Sequence, residues 1–223
     1  MSKYRTQLPM DKIDEFYSKH YPKMFDSGFV GGIAGFVHWV METPYGKDSF
    51  YSKVLEVGSG NGQHFGYVKH GFDQYIESDI RANERLNGDE ATEKWVRLIA
   101  DAETLHNVED NSIDRLIATC VLVHFGNPEA ALINWKRVVK KGGRLTIFVP
   151  TEPGMLLRFF RFFVTSRKAK KLGFDHKSVH YREHRNMWIL CDILIRETFS
   201  DSKIAPRKFP LGLLPWNFRL FDV

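Results

Sequence analysis

Cysteine is nearly absent from this chain. Cys120 and Cys191 are the only two in 223 residues, too few for a disulfide scaffold and without neighbours at zinc-ligand spacing. Cys120 falls in an apolar, strand-like run, which predicts a buried free thiol. Long hydrophobic stretches are missing too: no run approaches the roughly 18 apolar residues that span a bilayer. The N-terminus has no continuous apolar segment of the signal-peptide kind, so a cytoplasmic location is expected. Repeats, low-complexity tracts and long flexible linkers are lacking as well. With 43% hydrophobic and 26% charged residues, the simplest reading is one globular domain.

The formal net charge of +5 is modest, but its placement is uneven. Arg158, Arg161, Arg167, Lys168, Lys170, Lys171 and Lys177 crowd one segment. Such a patch suits an acidic small molecule, an anionic bilayer or RNA, or is simply a solvated face.

The most informative stretch is Val54-Leu55-Glu56-Val57-Gly58-Ser59-Gly60-Asn61-Gly62. Its apolar start reads as a central parallel strand, and its glycines give the backbone freedom where that strand turns. A pyrophosphate-binding G-x-G-x-x-G loop needs glycine at the position held by Gln63, and an acid such as Glu56 is unwelcome near phosphates, so NAD is not expected. Residues His64 to His70 read as a helix stopped by Gly71 at a left-handed cap. A strand from Gln74 then leads to Glu77-Ser78-Asp79. Asp79 stands one βα unit beyond Gly58, where a carboxylate can accept ribose hydroxyls; Glu77 shares its parity and would replace it if the strand ended earlier.

Val96, Leu98 and Ile99 form the next strand before Asp101-Ala102-Glu103, and Ile113 to Thr119 a fourth. Asn127 caps a helix with Pro128 at its first position and Leu132, Trp135 and Val138-Val139 facing inward. Lys141-Gly142-Gly143 turns into a fifth strand, Leu145 to Val149. Helices are also expected over Asp11 to His20, Gly31 to Met41, Met155 to Phe163 and Asn186 to Ile195. Strands are expected over Thr198 to Ile204 and Asn217 to Val223. Strands alternating with helices over short connections give a doubly wound α/β sheet with ligands at the strand carboxyl ends.

Glu56, Gly58, Gly60 and Gly62, an acid followed by G-x-G-x-G, match the first motif of class I S-adenosylmethionine (SAM) dependent methyltransferases. Asp79, the acidic-small pair Asp101-Ala102, and His124 in the apolar run after the fourth strand continue the likeness. The chain resembles the small-molecule, methyltransferase type 11-like members of that family. The resemblance implies a Rossmann-like seven-stranded, mostly parallel sheet with helices on both faces, whose last strand is antiparallel and hairpin-linked to the sixth. Pro206 to Leu214 would then be a hairpin insertion, with Val223 near the sheet edge. It also implies SAM as cofactor, held by Glu56, Gly58, Ser59, Gly60, Gly62, Asp79, Asp101 and Ala102. Glu56 would lie near the methionine end, and Asp101 would meet adenine, its other reading being a helix N-cap. The expected division of this single domain is a helical cap over 1–50, a cofactor core over 51–150, and a substrate cover with the C-terminal strands over 151–223.

Methyl transfer needs aim and water exclusion more than acid–base groups. His124, with Glu152 second, is the candidate base for a hydroxyl acceptor, although His124 could equally fill space. Tyr17, Tyr21, Arg158, Arg161, His180, Arg182 and His184 are the candidate acceptor contacts; ordinary outer packing is the alternative for the aromatic and arginine segments. The histidines at spacing four suit an anion, a structural network or, less well, a metal. The acceptor expected is a small-molecule or lipid-linked glycan substrate, with peripheral membrane contact compatible. Nucleic acid is disfavoured because Thr119-Cys120-Val121-Leu122 stands where a base-stacking N-P-P-[YF] tetrad would be.

Overall fold

The computed structural model describes residues 15–20, 28–81, 93–151, 166–171, 176–209 and 218–223. Seven strands make one sheet: β1 (Lys53–Val57), β2 (Gln74–Asp79), β3 (Trp95–Ile99), β4 (Ile113–Thr119), β5 (Val139–Pro150), β6 (Ala205–Phe209) and β7 (Phe218–Asp222). Their order is β3-β2-β1-β4-β5-β7-β6. The first five strands are parallel, and β7 lies antiparallel between β5 and β6. Strand order reverses at β1 and β4, so the chain leaving each of them borders one crevice, the usual ligand position in open α/β sheets.

Helices α1 (Gly28–Glu42), α2 (Pro128–Val138), α3 (Ser166–Lys171), α4 (His176–Glu183) and α5 (Trp188–Thr198) flank or extend the sheet, with a π-helical turn at Phe16–His20 and 3-10 turns at His64–Tyr67 and Leu122–His124. One sheet face carries α2 and α5: Leu132, Trp135, Val138, Cys191 and Ile195 pack on Leu55, Val57, Leu116, Ala118 and Ile147. The other carries α1, whose Val37, Val40 and Met41 meet Val54, Tyr75, Ile117 and Phe148. The Asn127 side chain accepts the Ala130 N–H at 3.0 Å, which caps α2 as its sequence implies. Among the described residues, no helix is long and apolar enough to cross a membrane.

Several local expectations change. The segment after the glycine loop is only a 3-10 turn, His64–Tyr67, with extended backbone at Val68. Two neighbouring rings pull its start in different directions: His64 is buried against Glu42, while Phe65 stacks on Trp95 at 5.0 Å. Gly71 is not in a left-handed cap. It bridges to Phe50, and a Cβ there would lie 2.7 Å from the Phe50 ring, so its small size serves close approach.

Residues expected as a strand over Thr198 to Ile204 instead end α5 and turn, because Ile195 and Phe199 continue its inward stripe. The strand comes later and includes Pro206, tolerated because β6 is the sheet's outer strand. Pro206 to Phe209 are therefore strand rather than insertion, and Val223 follows the inner β7. Strand β5 begins at Val139 and carries Gly142 at φ +79°, so the Lys-Gly-Gly turn is an irregularity within the strand. Cys120 sits just past β4, partly exposed, with φ +58°; Cys191 is the fully buried thiol, pushed up to about 12 by burial. The expected helix over Met155 to Phe163 lies outside the described residues.

Candidate cofactor and acceptor site

Strand β1 delivers the chain into three glycines with φ of +63°, +52° and +69° at Gly58, Gly60 and Gly62, where any side chain would be strained. A Cβ on Gly58 would lie 2.5 Å from Val121 Cγ2, and one on Gly62 2.6 Å from Glu77 Oε1, whereas Gly60 faces open space. Gly60 is thus the edge against which a ligand can lie. The loop is pinned by Ser59 N–H to Ser78 O at 3.0 Å and by Gly62 N–H to Ser59 O at 2.9 Å. Gly60 itself is held from both ends: its N–H donates to Asp79 Oδ2 at 2.9 Å, and its carbonyl accepts Arg97 Nη2 at 2.8 Å. Arg97 also pairs with Glu77 at 3.6 Å. Sequence reasoning missed this role; the signal was an arginine inside the otherwise apolar third strand.

The two acids of β2 divide. Glu77 is fully buried under Gly62, while Asp79 stands partly exposed at the strand end with Oδ1 accepting Arg81 N–H at 3.0 Å. Each Asp79 oxygen keeps a further lone pair for a ligand hydroxyl. Glu56 turns beneath the loop, where Tyr75 Oη–H donates to Oε2 at 2.8 Å. Burial, then the charges of Glu77, Glu42 and Asp79, push its carboxyl up to about 8 against that hydrogen bond.

At the end of β3, exposed Asp101 caps a tight turn: Oδ1 accepts Glu103 N–H at 2.9 Å and its carbonyl accepts Leu105 N–H at 2.9 Å. Ala102 is buried, with its carbonyl accepting Trp135 Nε1–H at 2.8 Å, which ties this turn to α2.

Past β4 comes a 3-10 turn, Leu122–His124. Glu103 braces the chain beyond it, accepting the N–H groups of Gly126 and Asn127 at 2.8 and 3.0 Å. The link between α4 and α5 is fastened to the same turn. Arg185 and Asn186 N–H donate to Val123 O at 2.8 and 3.0 Å, and Asn186 Nδ2 donates to Leu122 O and Phe125 O at 3.2 and 2.9 Å. Beside this clamp three histidine rings lie in contact. His124 meets His184 nearly perpendicular at 4.6 Å between ring centroids, and His184 meets His180 at 3.9 Å.

The candidate base and two candidate acceptor residues therefore form one column, with Arg182 partly exposed on the same α4. Among the described residues no group of histidine, cysteine and carboxylate side chains is arranged for a metal. Tyr17 lies elsewhere: the Arg81 guanidinium sits 4.4 Å over its ring, two residues beyond Asp79. Tyr21, Glu152, Arg158 and Arg161 fall outside the described residues.

A second polar layer lies under the loop. Arg115, in the middle of β4, donates Nη1 to Glu42 Oε2 at 2.9 Å and Nη2 to Oε1 at 2.6 Å, with Tyr45 stacked 3.7 Å from its Cζ. Glu42 Oε1 also meets His64 Nε2 at 2.8 Å, and His64 Nδ1 meets His38 Nδ1 at 2.9 Å. Burial alone would raise the Glu42 carboxyl, but hydrogen bonds from His64 and Arg115 hold it down to about 2.

An open backbone edge with one acceptor carboxylate at the end of β2 and another at the end of β3 fits a nucleoside. A pyrophosphate would want a helix N-terminus after the loop, and a four-residue 3-10 turn stands there. The family described as "Methyltransferase domain" matches residues 55–147, from β1 into β5. Methyltransferase nsrG of Aspergillus novofumigatus is 28% identical over 152 residues, 62% of this chain and 54% of that protein. The human thiol S-methyltransferase TMT1A is 32% identical over 111 residues, 45% of this chain and 41% of that protein. The chain spans about half the length of the curated relatives it matches. A SAM-dependent methyltransferase of Thermotoga maritima shares the fold with a TM-score of 0.62 at 19% identity, over 95% of this chain and 97% of that one. The family match spans the cofactor loop, and with its sheet closed by an antiparallel β7 the chain has the SAM-binding fold of the class I methyltransferases.

Proposed function

We propose that this chain transfers the methyl group of SAM to a small-molecule acceptor, at an oxygen or nitrogen of a sugar, glycan precursor or secondary metabolite. The observation that carries this reading is the histidine column clamped on the turn after β4, whose Val121 packs against Gly58 of the cofactor loop. SAM supplies an electrophilic methyl group on a sulfonium, which an aligned nucleophile displaces without acid catalysis. Asp79 would hold the ribose and Asp101 the adenine amino group, with the side-chain-free edge of Gly60 beside them. The His124 imidazole takes the proton of an acceptor hydroxyl, while His180, His184 and Arg182 line the acceptor side. The Asn186 clamp closes that side against water. Exposed Arg167, Lys170 and Lys171 on α3 support an anionic or lipid-linked acceptor.

A thiol acceptor is the second reading, favoured by the likeness to the human thiol S-methyltransferase; His124 would then deprotonate sulfur. Transfer of labelled methyl from SAM to hydroxyl, amine and thiol small molecules, each neutral and phosphorylated, separates the readings. His124→Ala is expected to lower kcat for a hydroxyl or thiol about 100- to 10,000-fold with SAM affinity unchanged. Label entering only protein or RNA fractions would overturn the small-molecule assignment.

A further inference from the structure

Methyl transfer makes no direct use of the buried chain Arg115–Glu42–His64–His38, yet its proton positions follow from chemistry. Arg115 donates through both terminal nitrogens, and Glu42, ionised, only accepts. His64 Nε2, 2.8 Å from Glu42 Oε1, must therefore carry its hydrogen. Burial holds His64 neutral, so its Nδ1 is the accepting nitrogen. His38 Nδ1, 2.9 Å away, must then be the donor, on a ring that burial and the neighbouring His64 hold neutral with a pKa of about 3.

The two rings belong to different segments. His38 rides on α1, and His64 opens the short turn that closes the glycine loop. The His38 ring also stacks on Tyr67, at the far end of that turn, at 5.4 Å and 23°. Gly35 brings α1 close: a Cβ there would sit 2.5 Å from Tyr67 Oη. An apolar filling could stabilise this layer as well as buried charge does. Directional bonds add something apolar contacts cannot, one fixed register of α1 against residues 62–67.

We propose that His38 and His64 are positioning residues that hold the Gly58–Gly62 loop in its SAM-binding shape by locking it to α1, with the His38 Nδ1–H as the terminal donor. This rests on the SAM-binding fold and not on the identity of the acceptor.

Two variants separate the hydrogen bond from packing. His38→Phe keeps a ring for Tyr67 but removes the donor, and His38→Asn supplies an amide N–H close to where Nδ1 lies. SAM affinity, measured by calorimetry without any acceptor, should fall about three- to tenfold in His38→Phe. His38→Asn should restore most of it, with the two unliganded variants melting at similar temperatures. Nitrogen-15 NMR of the unaltered chain should find His64 as the Nε2–H tautomer and His38 as Nδ1–H, a readout that does not depend on either variant folding. Unchanged affinity in His38→Phe, an asparagine variant as weak as the phenylalanine one, or the opposite tautomers would overturn the proposal.

Discussion

On the sheet face under α2 and α5, Leu55, Val57, Leu116, Ala118, Leu145, Ile147 and Val149 meet leucine, tryptophan, valine and isoleucine, while strand alternation turns the buried charged side chains of the described strands, Glu56, Glu77 and Arg115, away from it. On the face under α1, the same strands present Glu56, Glu77 and Arg115 beside Val54 and Ile117, and the helix answers with Glu42. The two layers cover the same sheet at comparable depth, so burial alone does not explain the difference. What differs is the neighbour: the α1 layer continues into the glycine loop and Asp79. Apolar contact is nearly indifferent to small shifts, whereas charge-assisted hydrogen bonds fix both distance and angle.

Breaking the charged layer at its centre gives the largest effect. Glu42→Leu leaves the Arg115 guanidinium buried without its carboxylate, and should cost about 3–5 kcal/mol in urea unfolding. Combining it with Arg115→Met should recover most of that loss. On the opposite face Leu132→Ala should cost about 2–5 kcal/mol, and no second deletion can repair it, since the deficit there is a cavity. A double variant no more stable than Glu42→Leu would erase the distinction between the faces.

The apolar face and the glycine loop were readable because their signals are local. Asn127-Pro128 and the spacing of Leu132, Trp135 and Val138 sit within one helix, and the glycine loop and Asp79 lie within one βα unit. The charged face was not readable, because its members come together only on folding: Glu42 and Arg115 are 73 residues apart, and Glu42 and His64 are 22 apart. Singly, each reads as a surface residue. The clamp from Asn186 to Leu122 spans 64 residues and was hidden for the same reason. The β6 error differed in kind: Pro206 argues against a strand unless the strand's edge position is already known.

A second effect comes from comparing two buried carboxyls within the charged layer. Glu42 is held down to about 2 and Glu56 pushed up to about 8 from a common starting value of 4.5. Glu42 thus contributes stability that is present above pH 4.5 and lost as pH falls toward 2. Glu56 has the opposite sign. Between pH 4.5 and 8 the unfolded chain releases this proton while the folded one retains it, so stability declines as pH rises through that window. Glu56→Gln copies the protonated form and keeps an acceptor for Tyr75. Its unfolding free energy should match the unaltered chain near pH 4 and exceed it increasingly up to pH 8, by on the order of 1 kcal/mol per pH unit. Parallel stability profiles for the two proteins would mean that Glu56 is ionised in the fold.

The smallest effect is expected at the rim, where the charged layer reaches solvent. Asp79 shares β2 with Glu77 but is partly exposed, so its loss strands no buried charge and should barely move the unfolding midpoint. What it holds is local: Oδ2 fixes Gly60 N–H, and its remaining lone pairs are free to accept the ribose hydroxyls of the proposed site. Removing charge-assisted bonds of this kind costs about 1.5–3 kcal/mol, so Asp79→Ala should weaken SAM roughly ten- to hundredfold. Asp79→Asn, which keeps one acceptor for Gly60 but no charge, should fall between. Calorimetry decides the matter, because affinity and stability must separate here as they do not at Glu42. Unchanged SAM affinity in Asp79→Ala would remove Asp79 from the cofactor site, and a stability loss like that of Glu42→Leu would move it from the rim into the buried layer.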